Sequence, residues 1–339
     1  MRLLLVSGDA PLQALQLATA ASRGSCRLVD LSGEALLAGA EHFDPLRELE
    51  QRWPPLRQSL AGWLEFLQLQ APQAHQLPLI PGLEDVLRSL FLIDQLKAAG
   101  SDDLVVLLPA CGQAQRFLQG LVNCPDLVQQ IYVPLIERLA QLKDTVSRLE
   151  GLLNIRLPDS AGLVVPASLL EDVDLLRQRL IDPAGCELQL AMPAASAEQP
   201  LLARRIAGFY LGGVQLSRLW LHGPVAAELL AEQRQRWQPS HLLHTEHLAE
   251  FQAAAPAWLA LPWQGEEAIN HASDPDGTAV TSLLLPGLSR EQLQVQRVGQ
   301  ALQVRLGPLR RGYPLPSTCL DRPPSGARVA GRRLEVRFR

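Results

Sequence analysis

The sequence predicts an α/β protein with a mostly parallel sheet and helices on both of its faces, followed by a small all-β domain. Two observations carry this prediction. Up to about residue 275, short apolar runs alternate with segments whose apolar residues recur at helical spacing. Beyond that point the helical spacing disappears, and short strands follow one another with glycines between them. We therefore predict two domains, 1–275 and 281–339.

The first strand and helix units lie at the N-terminus. Residues 2–7 predict a strand, 12–22 a helix and 26–31 a second strand. A helix-rich region follows over 34–70, and we expect Pro54-Pro55 to interrupt it. The continuous apolar run 103–108 is typical of a parallel strand covered on both faces. Later elements are predicted as helices over 81–99, 168–180 and 200–210 and as strands over 163–165, 187–191 and 216–221.

The C-terminal segment is distinguished by its charge as well as by its strands. From Arg297 onward, ten arginines stand against only Asp321 and Glu335. Its aromatic residues are limited to Tyr313 and Phe338, so it lacks the stacking platform that nucleic-acid binding commonly uses. We expect a solvated or interdomain basic surface and no nucleic-acid partner. The predicted strands are 281–285, 293–298, 301–306, 312–315, 327–329 and 334–338.

Bulk composition is that of an ordinary globular protein. The chain is 47% hydrophobic and 19% charged, with a net charge of −4, which argues against disorder. The five cysteines are scattered without a Cys-x-x-Cys pair, so neither a zinc ribbon nor a disulfide framework is indicated. No apolar run approaches the roughly 20 residues that span a bilayer. We expect a cytoplasmic protein without a transmembrane segment, metal or cofactor.

The turn after the first strand has the outline of a phosphate-binding loop without its chemistry. Strand, glycine and helix follow one another, but Gly8 is the only glycine, Asp9 comes next and Pro11 removes a backbone N–H. The chain has only two lysines, Lys97 and Lys143, and both fall on predicted helices. A triphosphate therefore lacks the glycine-rich cradle and the lysine that it needs here.

Several motifs together resemble one protein family. Residues 81–84 read Pro-Gly-Leu-Glu, 102–118 read Asp-Asp-Leu-Val-Val-Leu-Leu-Pro-Ala-Cys-Gly-Gln-Ala-Gln-Arg-Phe-Leu, 285–288 read Leu-Pro-Gly-Leu, 302–316 read Leu-Gln-Val-Arg-Leu-Gly-Pro-Leu-Arg-Arg-Gly-Tyr-Pro-Leu-Pro and 334–338 read Leu-Glu-Val-Arg-Phe. The chain resembles the ArsA family of arsenite-pump and tail-anchored-protein-targeting ATPases, in the branch with a C-terminal small heat-shock-protein-like (α-crystallin) domain. The resemblance implies a P-loop-NTPase-like fold, a homodimer, and helices that bind apolar segments of protein clients.

The departures from the family fall at its nucleotide-binding positions. The family's loop Gly-Lys-Gly-Gly-Val-Gly-Lys-Thr aligns with residues 8–15, and only Gly8 is retained. Asp9 replaces the signature lysine, Ala14 the P-loop lysine and Leu15 the magnesium-binding hydroxyl, while Leu107 replaces the switch II aspartate. At an effective dielectric of about 20, Asp9 would repel a phosphate charge roughly 4 Å away by about 4 kcal/mol. The resemblance therefore implies a degenerate nucleotide loop with no catalytic residue.

Three smaller features receive mostly structural interpretations. Arg116, at the start of a helix near the loop, is a candidate for residual anion contact. Asp30 stands at the family's switch I aspartate, and we interpret it as a helix cap. The histidines of 241–247 do not share one helix face, so we interpret that segment as a polar connector rather than a zinc site.

A heptad-like pattern marks the segment from 134 to 154. Its apolar positions recur at spacings of four and three, which predicts a helix with one apolar stripe. The stripe packs on the protein's own core, or it lines a client groove or dimer contact, and the sequence leaves both open. The candidate client or dimer positions are Leu135, Leu139, Leu142, Val146 and Leu149.

The leading functional hypothesis is a pseudo-ATPase that acts as a chaperone-like or protein-interaction factor for hydrophobic protein clients. The first alternative is an ATPase that is active or binds nucleotide weakly through a relocated, arginine-based phosphate site. The second is an architectural subunit of a cytoplasmic complex with no client of its own.

Overall fold

The computed structural model describes most of the chain. The described residues are 1–9, 12–34, 39–66, 68, 70–79, 82–128, 133–135, 137–138, 141, 166–197, 201–237, 241–273 and 276–339. They fall into two compact units. The first comprises Met1–His42, Ala98–Val122 and Gln178–Arg339, and the second comprises Phe43–Lys97 and Asn123–Arg177.

A seven-stranded parallel sheet organises the first unit. Its strand order is β3-β2-β4-β1-β5-β6-β7, so β1 lies between β4 and β5 near the centre. Every residue of β1 is buried, as a central parallel strand requires. The predicted α/β class is therefore confirmed. The strands are β1 (Leu3–Gly8), β2 (Cys26–Asp30), β3 (Glu41–His42), β4 (Asp103–Leu107), β5 (Cys186–Pro193), β6 (Leu216–His222) and β7 (Leu242–Thr245).

Helices connect these strands along the chain. Helix α1 packs against β1 and β4, and it also contacts the helix that follows β7. The described helices are α1 (Leu12–Arg23), α2 (Pro45–Phe66), α3 (Leu83–Ala99), α4 (Cys111–Leu127), α5 (Ala167–Ile181), α6 (Leu201–Leu211), α7 (Ala227–Arg236), α8 (Leu248–Leu259) and the single turn α9 (Ser317–Leu320).

Two antiparallel sheets form the C-terminal part of the first unit, as an α-crystallin-like domain requires. One has the order β10-β11-β12 and the other β13-β14-β9-β8. Strand β8 begins before the predicted boundary at residue 275 and pairs with β9 across it. The strands are β8 (Ile269–Ser273), β9 (Ala279–Leu284), β10 (Gln294–Val298), β11 (Ala301–Leu306), β12 (Leu309–Pro314), β13 (Pro324–Ala330) and β14 (Arg333–Phe338).

The second unit corrects one expectation. Helix α2 runs unbroken through Pro54 and Pro55, where we expected an interruption. A proline removes one N–H and crowds the preceding turn, but a helix secured by side-chain contacts can tolerate it. Here the Trp53 indole N–H donates to the Pro72 carbonyl at 2.8 Å, and Arg52 pairs with Glu48 one turn earlier at 2.9 Å.

None of the helices in the part of the chain that the structure describes is long and apolar enough to cross a membrane.

Candidate functional site

The candidate site is the carboxyl edge of the parallel sheet, where β1, β4 and β5 end side by side. In open α/β sheets ligands bind in the crevice at this edge, where the strand order reverses. The predicted positions Gly8 and Leu107 stand at the ends of β1 and β4. Helix α1 then begins at Leu12 and carries Ala14 and Leu15 in its first turn. The fold therefore brings Gly8 and the replaced positions Ala14, Leu15 and Leu107 to the expected edge.

The backbone at the end of β1 packs closely against the neighbouring strand β5 and hydrogen-bonds to it. Gly8 has φ +141°, and a Cβ added there would collide with the carbonyl oxygen of Ala191 on β5. The next N–H, that of Asp9, donates to the same carbonyl at 3.0 Å. A phosphate loop instead turns successive N–H groups toward the ligand. The first N–H of this loop is therefore not available to an anion.

An internal ion pair occupies the side-chain layer above this turn. The Asp9 carboxylate pairs with the guanidinium of Arg205 on α6, and about a third of each side chain remains exposed. Nη1 of Arg205 also lies 3.9 Å from the Met192 sulfur at the end of β5. The charge of Arg205 beside this turn is therefore neutralised by Asp9.

Arg205 was not singled out from the sequence, where Arg116 was the named candidate for anion contact. Arg116 is exposed on α4, and no polar contact between it and Asp9 is present in the described structure. The signal that could have found Arg205 is its position on the helix that follows the carboxyl end of β5, a neighbour of β1. Helices that start at this edge direct their first turns toward the crevice.

Three replaced positions belong to a hydrophobic cluster. Leu15 and Leu107 are completely buried, and Ala14 packs against them from α1. The cluster also contains Trp220, whose ring stacks on that of Phe251 with centroids 3.7 Å apart. Its buried members are Leu4, Val6, Leu15, Val105, Leu107, Ala191, Trp220, Phe251, Ala255, Trp258 and Leu259. Of the positions that would hold a lysine, a hydroxyl and a metal-linked aspartate, the last two, Leu15 and Leu107, are apolar core, and Ala14 is partly buried against it.

The thiol at this edge is deeply buried. Cys111 is the first residue of α4 and is 2% exposed. Burial raises the pKa of this thiol to about 12, while the neighbouring Arg205 lowers the pKa and Asp9 raises it. A thiol with such a pKa stays protonated at neutral pH and is inert. Among the described residues, no three or more His, Cys, Asp or Glu side chains are grouped so that they could hold a metal ion.

Asp30, at the end of β2, fixes a turn. It is 1% exposed, and its Oδ1 accepts the Ser32 backbone N–H at 2.8 Å. Its Oδ2 lies 3.6 Å from Nδ1 of His42 on β3. We interpreted Asp30 as a helix cap, but residues 32–34 form a bend and residues 35–38 lie outside the described part, so the helix cap stays a prediction. Both oxygens of this carboxylate therefore contact neighbouring residues at the sheet edge.

The histidine segment contains a strand instead of the predicted polar connector. β7 pairs with β6 through Leu242–Thr245, and Nε2 of His244 lies 2.9 Å from the Gly223 carbonyl. His247 is the N-cap residue of α8 and shares a capping box with Glu250. The strand is only four residues long, and Leu-Leu-His-Thr has no apolar–polar alternation that could have revealed it.

Most of the candidate client or dimer helix falls outside the described residues. Leu135 is described, lies in a helical segment and is 53% exposed. Leu139, Leu142, Val146 and Leu149 are not among the described positions. The proposal that this stripe binds a client or a second subunit stays a prediction.

Helix α6 connects the loop to the C-terminal sheets. Besides Arg205, it carries Gly208, where an added Cβ would come within 2.6 Å of Nε2 of Gln115 and 2.9 Å of Leu309 on β12. That Gln115 side chain, on α4, donates to the Arg205 carbonyl at 2.5 Å. One helical turn further along α4, the Gln119 side chain donates to the Arg310 carbonyl at 2.6 Å. The β domain is therefore packed directly on the helices that border the degenerate loop.

Comparison with known proteins supports the assignment of the C-terminal part. Residues 276–338 match the model of the HSP20-like domain found in ArsA. A relative in Streptomyces coelicolor, named only as an uncharacterized protein, is 25% identical over 306 residues, covering 84% of this chain and 77% of its own length. The predicted resemblance is confirmed for the C-terminal part, which carries an HSP20-like domain of the kind found in ArsA.

Proposed function

We propose that this chain is an ArsA-like protein that does not hydrolyse ATP and acts by binding other proteins. The observation that carries the first half is the hydrophobic cluster around Leu15 and Leu107. A Mg²⁺·triphosphate needs a lysine, a hydroxyl and a carboxylate converging on it. Apolar side chains that are fully buried offer none of these, and opening the cluster would expose well-packed surface at about 25 cal/mol per Å².

Charge supports the same proposal. Asp9 places a carboxylate where an incoming polyanion would sit, and its partner Arg205 is already paired. Of the two lysines, Lys97 pairs with Asp172 at 2.5 Å, and Lys143 lies outside the described residues. Recruiting Arg205 to a phosphate would therefore require breaking its pair and leaving Asp9 beside the new anion, which is doubly unfavourable.

The second half, protein binding, rests on the HSP20-like domain and on the family resemblance. An architectural role is the second candidate, favoured by the direct packing of Leu309 against α6 at Gly208. Affinity capture from native cytosol separates the two. A chaperone-like factor returns a mixed set of proteins, whereas an architectural subunit returns a few partners in fixed ratio.

Phosphate release from Mg·ATP tests the absence of hydrolysis. The wild-type chain and Asp9→Asn are compared, since this change removes the negative charge and leaves Arg205 without its carboxylate partner. We expect no turnover above buffer from either protein. Turnover by wild type that is lost in Arg205→Gln would instead support the relocated phosphate site.

The homodimer implied by the resemblance and the cytoplasmic location are part of the same proposal. Light scattering on the purified full chain measures the first directly. A monomer at all concentrations would remove the homodimer from the proposal and leave the nucleotide argument unchanged.

A further inference from the structure

The outer face of the β10-β11-β12 sheet carries an exposed group of arginines and glutamines. Gln294 is opposite Arg305 in the β10–β11 register, and Arg305 is opposite Arg310 in the β11–β12 register. Paired residues of an antiparallel sheet point to the same side. Gln296 and Gln303 form the adjacent row and share a hydrogen bond of 2.6 Å. We call Gln294, Gln296, Gln303, Arg305 and Arg310 the arginine face.

The arginine face is concave and contains no acid. It lines a cleft of about 580 Å³ together with Val295 and Pro308. The two arginines are exposed, and Nε of Arg305 donates to the Gly307 carbonyl at 2.7 Å. Against the same turn, at Gly307, lies the guanidinium of Arg204 from α6. Three cationic side chains thus meet around the β11–β12 turn.

These arginines differ from others of the same domain in lacking an acidic partner. Arg328 pairs with Glu335 at 2.8 Å, and Arg332 pairs with Glu266 at 2.5 Å. No carboxylate is within ion-pair distance of Arg204, Arg305 or Arg310 among the residues that the structure describes. Like charges directly opposite one another destabilise a sheet. An anion bound between Arg305 and Arg310 would therefore relieve their mutual repulsion.

We propose that the arginine face binds an extended, acidic polypeptide segment. The guanidinium groups match carboxylates with forked N–H donors. The three glutamines each offer a donor and an acceptor, which suits the N–H and C=O groups of a peptide backbone. A phosphate would use only the donors.

Two features favour a peptide over nucleic acid. Tyr313 and Phe338 are buried, so the exposed aromatics that stack on bases are missing from the described part of this domain. The whole chain carries a net charge of −4, which opposes long-range attraction of a polyanion, whereas a short acidic segment needs only the local field. The inference deepens the protein-binding half of the proposed function, on which it rests, and is independent of the nucleotide question.

Fluorescence anisotropy on the full chain tests the inference. The probe is a short labelled peptide of alternating glutamate and serine, compared with the same peptide bearing glutamine for glutamate and with a single-stranded oligonucleotide of equal charge. We expect the acidic peptide to bind best, and the double variant R305Q/R310Q to weaken it by about tenfold or more. The matched control R328Q removes one charge from the other sheet and should change affinity by less than about twofold.

Each other outcome overturns the inference. Equal binding of the neutral peptide removes the role of charge, and tighter binding of the oligonucleotide assigns the face to nucleic acid. Self-association that R305Q/R310Q abolishes assigns it to a second copy of this chain. An equal loss in R328Q shows a non-specific effect of net charge, and circular dichroism checks that the variants are folded. If acidic peptide does not bind while cytosolic capture still returns proteins, this inference fails alone and the proposed function stands.

Discussion

The carboxyl edge of the parallel sheet and the arginine face treat charge in opposite ways. At the sheet edge, the positions of a lysine, a hydroxyl and an aspartate are apolar, and the remaining cation, Arg205, is paired with Asp9. On the arginine face, Arg305 and Arg310 stay exposed beside one another without a carboxylate. The first region contributes stability through a buried apolar cluster, whereas we propose that the second binds an acidic segment.

Leu107→Asp should produce the largest effect, because it restores the family's residue inside the apolar cluster. An unpaired carboxylate in a fully buried position costs several kcal/mol, about 3–5, in the free energy of unfolding. Urea denaturation measures it. Leu107→Met, which keeps the volume, should cost less than about 1.5 kcal/mol. Equal stability of the two variants would mean that Leu107 faces an open cavity, which would contradict the contrast between the two regions.

Gly208→Ala tests the packing of the β domain on α6. The new Cβ would press on Gln115 and on Leu309, so we expect a loss of about 1–3 kcal/mol. Gly120, in α4, has open space around it, and Gly120→Ala should stabilise the protein by about 0.5–1 kcal/mol. Equal effects of the two substitutions in thermal unfolding would show that α6 and β12 are not in close contact.

Acidification should lower the free energy of unfolding because His241 becomes protonated. Burial, together with the nearby charges of Arg218 and Arg332, lowers the pKa of this imidazole to about 4. Since the unfolded pKa is near 6.5, the stability is present above pH 6.5 and is lost as the pH falls from 6.5 toward 4. The residue is half-buried, so the loss is on the order of 1–2 kcal/mol. His241→Gln should flatten that part of the stability profile, and an unchanged slope would refute the assignment.

Asp9→Asn should produce the smallest change in stability. Its ion pair with Arg205 is partly exposed, and such pairs contribute about 0–1 kcal/mol. The variant is informative because it makes the sheet edge resemble the arginine face in charge. Without the Asp9 charge, Arg205 resembles the unpaired arginines of the second region. A rise in sulfate or phosphate binding by chemical-shift titration would show that the pair hides an anion contact, and no change would show that the backbone alone excludes the anion.

The sequence was sufficient for most of the framework. Gly8 and the apolar runs of β1 and β4 located the central strands, because a buried parallel strand is nearly continuous in apolar residues. Strand β7 was missed because four residues are too few for a clear period. Prolines in α2 misled the prediction because tertiary contacts override local propensity.

At the site, the identities of Ala14, Leu15 and Leu107 predict that nucleotide contacts are missing, which stays a prediction, and they do not predict which residues take their place. The pairing of Asp9 with Arg205 could not be predicted, since the two residues are 196 positions apart and meet only through the order of the strands. The arginine face was likewise visible in sequence only as an excess of basic residues. Strand register was needed to place Arg305 opposite Arg310.

Calorimetric titration of the full chain with Mg·ATP and Mg·ADP tests the central claim most directly. A ligand that binds the native state alone also raises its stability by RT ln(1 + [L]/Kd), about 2.7 kcal/mol at a hundredfold excess over Kd, so unfolding in the same buffers provides a check. The account predicts no heat of binding and no shift in stability with either nucleotide. Saturable micromolar binding, on the order of −8 kcal/mol, would contradict it.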